Sequence, residues 1–302
     1  MKNIEVMNSF TTKNLPNLDT AVLAALELFS QTKLPKLSTS YKKPLVVGSG
    51  NAAATGKIIF QDKEATFSTE SNYESKLSRC DGVVLISASG SKHAPIIAQK
   101  AHSKNKKVTL ITNTQNSPAS KFSDKIIILP KNREPYTYNT STYLGMILAH
   151  TQENPTKILN HIQKNTAKLK FPNFKKYKGY YLLIPEEFSE IIRLLQIKFI
   201  ELFGRNIARD IETFEQTKHA TTVVPAKDEL FISFGKKNKT YGKNRFHIPL
   251  PKNSDYATMM SIGYYIIGQI QKSQPHWFKQ NIETYTKQAS KIFKHKINPI
   301  VE

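Results

Sequence analysis

Apolar residues in the first half of the chain form short runs, and each run is followed by a stretch with helical spacing. Buried strands are predicted in PLVVGSG, DGVVLISASG, KKVTLITNT and KIIILP, with a weaker strand in EATFSTES. Helices are predicted between them in NAAATGKIIF and HAPIIAQKAHSK. Short buried strands that alternate with helices indicate a parallel, doubly wound sheet covered on both faces.

A second series of the same kind follows the predicted linker FPNFKKYKG. Its extended runs are GYYLLIP, DIETFE, DELFISFG and RFHIPLP, and its helices include EEFSEIIRLLQIKFIELFGR and DYATMMSIGYYIIGQIQ. The fold class predicted is therefore α/β, with two doubly wound parallel-sheet halves in one chain. The predicted division is an N-terminal helical segment (1–40), a first α/β domain (41–153), a linker helix and loop (154–175), a second α/β domain (176–273) and a C-terminal helix and tail (274–302).

Cysteine content and hydropathy exclude several classes of protein. Cys80 is the only cysteine, so the chain has neither an intrachain disulfide framework nor a cysteine-based zinc site. No apolar run reaches the roughly 18 residues of a transmembrane helix. The first residues lack the apolar segment and cleavage site of a signal peptide. These features predict a cytoplasmic protein without a membrane partner.

The chain has a formal net charge of +21, which raises the question of a nucleic-acid partner. The cations are spread along the chain, in KKYKGY, KKNKTYGK and SKNKKV alike, and only six of them are arginines. Proteins that read nucleic acids favour arginine, because its guanidinium makes bidentate contacts. Nucleic acid is therefore not the predicted partner, and a positive field also attracts small anionic substrates.

Three serines and a glycine follow the strand DGVVLI directly. In open α/β sheets ligands bind beyond the carboxyl ends of the strands, where helix N-termini attract anions. Ser87, Ser89 and Ser91 are predicted to donate hydroxyl hydrogen bonds to a phosphate. Gly90 allows close backbone approach, and Lys92 adds a full charge. The alternative is an ordinary serine-rich loop with a helix cap.

A second glycine loop lies at the end of the preceding strand. Gly48, Ser49 and Gly50 stand between PLVV and the next predicted helix, so the two loops are expected to converge on one ligand. The run GSGNAA does not match G-x-G-x-x-G, and no acidic residue closes the second strand convincingly. A dinucleotide site is therefore disfavoured.

The order of these motifs resembles the SIS (sugar isomerase) superfamily, which includes the isomerase half of glucosamine-6-phosphate synthase and small phosphoglucose/phosphomannose isomerases. The resemblance is carried by VVGSGNAAATG, LISASGSKHAPIIAQKAHSKNKKVTLITNTQNSPASKFSD, EPYTYNTSTYLGMILA and KFIELFGRNIARDIETFEQTKHA. Two departures stand out. Lys92 occupies the place of a threonine in the family pattern S-x-S-G-x-T, and LIPEEF replaces a glycine loop in the second half.

The resemblance implies chemistry on a phosphorylated sugar. It implies that Glu201 moves a proton between C1 and C2 through an enediol, and that His219 assists ring opening from the same or a partner subunit. Glu134 and Thr140 fall in the matching substrate segment, and Lys296 is a weaker candidate for the family's C-terminal lysine. From the residues alone, Glu201 also fits a solvated helix face beside Lys198, and His219 fits a polar surface loop.

The predicted function is isomerisation of a hexose 6-phosphate, glucose-6-phosphate or mannose-6-phosphate to fructose-6-phosphate, in a homodimer. An enediol route needs neither a metal nor a nicotinamide, so no cofactor is predicted. An amino-sugar-phosphate deaminase or deglycase is the alternative enzyme. A non-catalytic sugar-phosphate-binding protein is the alternative outside enzymes, since it would bind the sugar without exchanging its C2 proton.

Overall fold

A computed structural model describes residues 2–221 and 224–302. Its helices are α1 (Asn3–Ser9), α2 (Leu18–Gln31), α3 (Asn51–Phe60), α4 (Ala94–Ser103), α5 (Thr140–Thr151), α6 (Pro155–Lys164), α7 (Ile192–Phe203), α8 (Phe214–Ala220), α9 (Tyr256–Ser273) and α10 (Trp277–Ile292). Its strands are β1 (Pro44–Val47), β2 (Thr66–Ser68), β3 (Gly82–Ile86), β4 (Val108–Thr112), β5 (Lys125–Ile128), β6 (Glu134–Pro135), β7 (Gly179–Ile184), β8 (Ala208–Thr213), β9 (Glu229–Phe234), β10 (Asn244–Ile248) and β11 (Ile300–Val301).

The first sheet has the strand order β2-β1-β3-β4-β5, and all of its pairs are parallel. Every residue of β1, β3 and β4 is buried, as expected for strands covered on both faces. The chain leaves β1 toward β2 on one side and returns to β3 on the other. The carboxyl ends of β1 and β3 therefore flank a crevice, which is where ligands bind in such sheets.

The second sheet is also parallel throughout, with the order β10-β9-β7-β8. The predicted class, α/β with two parallel-sheet halves, is confirmed. A short antiparallel pair of β6 and β11 joins the C-terminal segment to the first half. The sequence patterns did not predict this pair, because two-residue strands carry no periodicity.

Two local predictions differ from the structure. The run from Glu186 is not one long helix: a 3₁₀ segment at Glu186–Ile191 precedes α7, and Phe188 leaves the helical region at φ −109° and ψ 22°. The segment around His219 is not a polar loop but helix α8. The hydroxyl of Thr213 caps this helix by accepting the backbone N–H of Gln216 at 3.1 Å.

A continuous core holds the two halves together. Helix α9 is buried along most of its length and packs against α2, α5 and α7, so it lies between elements of both halves. Val84 of the first sheet and Leu182 of the second belong to the same hydrophobic cluster. The apolar stretch MMSIGYYIIG is therefore part of this core. We retain the domain boundaries given above as a proposal.

None of the helices within the described residues combines the length and the hydropathy needed to cross a bilayer.

Candidate functional site

The serine loop after β3 is held in place by hydrogen bonds to the neighbouring strand β4. The N–H of Ser87 donates to the carbonyl of Ile111 at 3.0 Å, and the hydroxyl of Thr112 donates to the carbonyl of Ala88 at 3.0 Å. Gly90 has φ +56°, and a Cβ there would overlap the side chain of Ser117. Glycine is therefore required for this path of the chain.

This anchoring leaves the serine hydroxyls at the mouth of the crevice. The hydroxyls of Ser89 and Ser91 lie 2.6 Å apart and share a hydrogen bond, and the Ser87 hydroxyl accepts the N–H of Gly90 at 3.2 Å. Lys92 also has a positive φ of 56°, which is uncommon for a residue with a side chain. The loop therefore presents hydroxyl groups and one ammonium to the crevice.

The second glycine loop meets the first at the same cavity. Gly50 has φ +55° and immediately precedes α3. Ser49 donates its hydroxyl to Glu70, which follows β2. Although desolvation opposes ionisation, the hydrogen bond from Ser49 holds the pKa of Glu70 below its ordinary value. An ionised carboxylate thus stands beside the hydroxyls and is placed to accept hydrogen bonds from a ligand.

The two loops line a cavity of about 420 Å³. Predicted site residues among its walls are Gly48, Ser49, Gly50, Ser87, Ser89, Ser91, Lys92 and Glu201. The expected convergence of the two loops is therefore observed. Glu201 reaches the same cavity from the second half of the chain, because α7 packs against α3.

Glu201 is not on a solvated helix face. Its carboxylate Oε2 lies 2.6 Å from Nζ of Lys198, whose side chain is only 1% exposed. Lys198 also donates to the backbone carbonyls of Thr137 and, at 2.8 Å, Tyr138. Desolvation raises the pKa of Glu201, and the charge of Lys198 partly offsets the rise. A carboxyl group tuned in this way suits proton transfer near neutral pH.

The structure does not bring every predicted residue to the cavity. Glu134 is buried, and its carboxylate accepts the backbone N–H groups of Thr140 at 2.6 Å and Ser141 at 2.7 Å. It thus caps α5 from behind the cavity wall. Thr140 is buried and does not line the cavity either. These two predicted ligands support the wall, whereas neighbouring Asn139 lines it.

His219 and Lys296 also lie away from this cavity. His219 is exposed on α8, and Lys296 is exposed in the segment after α10; neither lines the cavity. Within one copy of the chain, Glu201 and His219 therefore do not share a pocket.

Several wall residues were missed by the sequence analysis. They are Glu70, His93, Tyr136, Asn139, Tyr143, Tyr285, Phe293 and Val301. His93 was visible as a titratable residue inside the predicted phosphate loop. Phe293 and Val301 gave no such signal, because they reach the cavity only through the docking of the C-terminal segment.

The C-terminal segment forms one wall of the cavity. The ammonium of Lys92 lies 4.1 Å from the ring centroid of Phe293 and 5.9 Å from that of Tyr136. Desolvation lowers the pKa of Lys92. Within the described residues, no carboxylate lies within ion-pair distance of Lys92, so this cation is available to an anionic ligand.

In the part of the chain that the structure describes, no group of three or more His, Cys, Asp or Glu side chains is arranged to hold a metal ion.

Comparisons with known proteins agree with this architecture. The model of the SIS domain family matches residues 45–151, which contain both loops of the cavity. Among curated proteins, none matches the chain by sequence.

Solved structures match over most of the chain at low sequence identity. The C-terminal domain of glucosamine-fructose-6-phosphate aminotransferase from Francisella tularensis is 11% identical, with a TM-score of 0.59 over 87% of this chain and 97% of that one. Glucosamine-6-phosphate deaminase from Thermotoga maritima is 14% identical, with a TM-score of 0.58 over 91% and 95%. Tagatose-6-phosphate ketose/aldose isomerase from Escherichia coli is 13% identical, with a TM-score of 0.56 over 84% and 86%.

These likenesses show a shared fold. The family match confirms the resemblance drawn from the sequence over residues 45–151: this part of the chain is an SIS domain.

Proposed function

We propose that the chain is a sugar-phosphate aldose–ketose isomerase that acts on a hexose 6-phosphate. The observation that carries this proposal is the single cavity lined by the serine loop, the glycine loop and Glu201. A phosphate held by Ser87, Ser89 and Ser91 would extend the sugar carbons across the cavity toward Glu201. The fold is shared with proteins named as a deaminase, an aminotransferase domain and an isomerase, which supports a phosphorylated sugar as ligand.

The proposed chemistry is a proton transfer. Glu201 removes the proton from C2 of the open-chain aldose while O1 gains a proton, which gives the enediol. Glu201 then returns the proton to C1 while O2 loses its proton, which gives the ketose. A base for this step must be ionised at working pH yet basic enough to accept a proton from carbon. The buried environment of Glu201 meets this requirement, because desolvation raises its pKa while Lys198 stabilises its ionised form.

The test is isotope exchange. Fructose-6-phosphate is incubated with the protein in D2O, and deuterium at C2 of the aldose product is measured by NMR. We expect label with the wild type and none with Glu201→Gln. The matched control is Glu187→Gln, because Glu187 is exposed and lies outside the cavity. Equal labelling by all three proteins would contradict the assignment of Glu201.

One observation favours a second candidate, a protein that binds sugar phosphates without catalysis. His219, the residue that the resemblance assigns to ring opening, does not line the cavity of its own chain. Calorimetric binding of fructose-6-phosphate without any C2 exchange would support this candidate. Release of ammonia from an amino sugar phosphate would instead identify a deaminase.

A further inference from the structure

A second cavity opens at the carboxyl ends of the other parallel sheet. It measures about 650 Å³ and shares no lining residue with the cavity of Glu201. In the order β10-β9-β7-β8, the chain leaves β7 toward β8 and returns to β9 on the opposite side. The ends of β7 and β9 thus flank the position where open α/β sheets bind ligands.

Four lysines line this cavity: Lys218, Lys236, Lys237 and Lys239. Three of them come from the run KKNKTYGK, which the sequence analysis treated as a compositional feature. The fourth comes from α8. Bringing like charges together costs electrostatic free energy unless an anion compensates them.

The loop that carries three of the lysines is held in one conformation by Arg245 and Asn238. Arg245 donates to the carbonyls of Lys239 at 2.6 Å, Thr240 at 2.7 Å and Tyr241 at 3.0 Å. The buried amide of Asn238 accepts the N–H groups of Thr240 and Tyr241 at 3.0 and 2.8 Å. The loop carbonyls are therefore engaged within the loop, and the lysine side chains are left to the cavity.

Glu186 and Glu215 also line the cavity, but within the described residues only Lys218 of the four lysines pairs with a carboxylate. Glu215 pairs with Lys218 at 2.6 Å, and Glu186 accepts the backbone N–H of Glu215 at 2.5 Å. The ammonium of Lys236 lies 5.3 Å from the ring centroid of Phe214. Within the described residues, no carboxylate lies within 4.0 Å of the ammonium groups of Lys236, Lys237 or Lys239.

We infer that this cavity is a second anion site, and that its ligand is a small molecule with two phosphoryl groups. Two phosphoryl groups carry roughly three to four negative charges near neutral pH, which matches three unpaired ammonium groups. Lysine ammonium groups bind phosphate as point charges. The concave position at the strand ends favours a small ligand over nucleic acid, whose backbone needs an extended cationic track.

The test uses inorganic pyrophosphate in calorimetry at physiological salt. Lys237→Gln/Lys239→Gln should lower its affinity at least about tenfold. The matched control is Lys104→Gln/Lys107→Gln, which removes two exposed lysines from another lysine-rich loop and should change the affinity less than about twofold. Lys92→Gln, in the first cavity, should also leave it nearly unchanged. Circular dichroism confirms that each variant is folded.

Three results would overturn the inference. An equal loss in both double variants would show a general charge effect. Orthophosphate that binds as tightly as pyrophosphate would remove the requirement for two phosphoryl groups. Single-stranded RNA that displaces pyrophosphate with a steep salt dependence would identify a nucleic-acid surface. These three measurements do not depend on C2 exchange at the first cavity. If the second anion site is disproved, the proposed isomerase activity at Glu201 is therefore not affected.

Discussion

At the scale of single residues, the candidate site depends on how Glu201 and Lys198 are buried together. A lysine three residues before a glutamate on a helix is a common surface pair, and sequence spacing alone favours that reading. The structure instead buries Lys198 against the carbonyls of Thr137 and Tyr138, and Thr137 adopts φ +83°. The segment before α5 therefore holds the ammonium group of Lys198 in position, and this ammonium group in turn positions the carboxylate of Glu201.

Replacing Lys198 with methionine should raise the pKa of Glu201 further. Desolvation already raises this pKa and Lys198 lowers it, so removal of the ammonium leaves desolvation unopposed. We expect a higher pKa than in the wild type, measured by NMR titration of the Glu201 carboxyl carbon. If Glu201 is the base, the acidic limb of kcat/KM should move to higher pH by the same amount.

The control is Lys57→Met, because Lys57 is exposed and lies 4.0 Å from Glu190 outside the site. It should leave the Glu201 titration unchanged. A carboxyl titration that is identical in wild type and Lys198→Met would show that the pair is not coupled. Denaturant unfolding of each variant separates a change in titration from a loss of fold.

At the scale of elements, two glutamates, the buried Glu134 and the partly exposed Glu153, each hold the start of a helix. Glu134 accepts the N–H groups of Thr140 and Ser141 at the start of α5. Glu153 accepts the N–H groups of Ala257 and Thr258 at the start of α9, at 2.8 and 3.2 Å. In both cases the carboxylate comes from outside the helix that it caps, and it satisfies amides that would otherwise lack partners.

Glu134→Gln and Glu153→Gln should each lower the free energy of unfolding by about 1–3 kcal/mol, because an amide satisfies fewer of these N–H groups than a carboxylate. Only Glu134→Gln should also weaken fructose-6-phosphate binding. Helix α5 carries Asn139 at its N-terminal boundary and Tyr143 in its first turn, both in the cavity wall, whereas α9 contributes no residue to that wall. Urea unfolding and calorimetry measure the two effects separately.

Equal losses of affinity in the two variants would mean that general stability, and not the position of α5, governs binding.

The role of Glu134 was only partly predictable from the sequence. The motif around Glu134 was recognised as part of the site, but its role as a cap depends on the turn between β6 and α5, which places the carboxylate under the helix. Residue spacing alone does not reveal that turn.

At the scale of the whole molecule, the two sheets were predictable because their strands are short buried runs between helical stretches. The convergence of the serine loop and the glycine loop was predictable because parallel strands place their carboxyl ends on one edge. The cavity wall made by Phe293 and Val301 was not predictable from the sequence. It requires the pairing of β11 with β6, whose residues are more than 160 positions apart in the chain. Arg133 reinforces that pairing by donating to Glu302 at 2.8 Å.

The position of His219 leads to a prediction about the oligomeric state of the protein. It is exposed on α8, in the half of the chain whose own cavity is the lysine-lined one, so a role in ring opening requires a second copy of the chain. In a twofold dimer, each site would take Glu201 from one subunit and His219 from the other. Glu201→Gln and His219→Ala would then each inactivate the homodimer while leaving complementary halves of the site intact.

Mixing the two inactive variants should therefore restore activity. Equal amounts, unfolded and refolded together, give heterodimers in which one of the two sites has both residues, so about a quarter of the wild-type specific activity is expected. The control mixes Glu201→Gln with the double variant Glu201→Gln/His219→Ala, which supplies no intact Glu201 and should stay inactive. Full activity of His219→Ala alone would place ring opening on another group, and His93 in the cavity wall is then the first residue to replace.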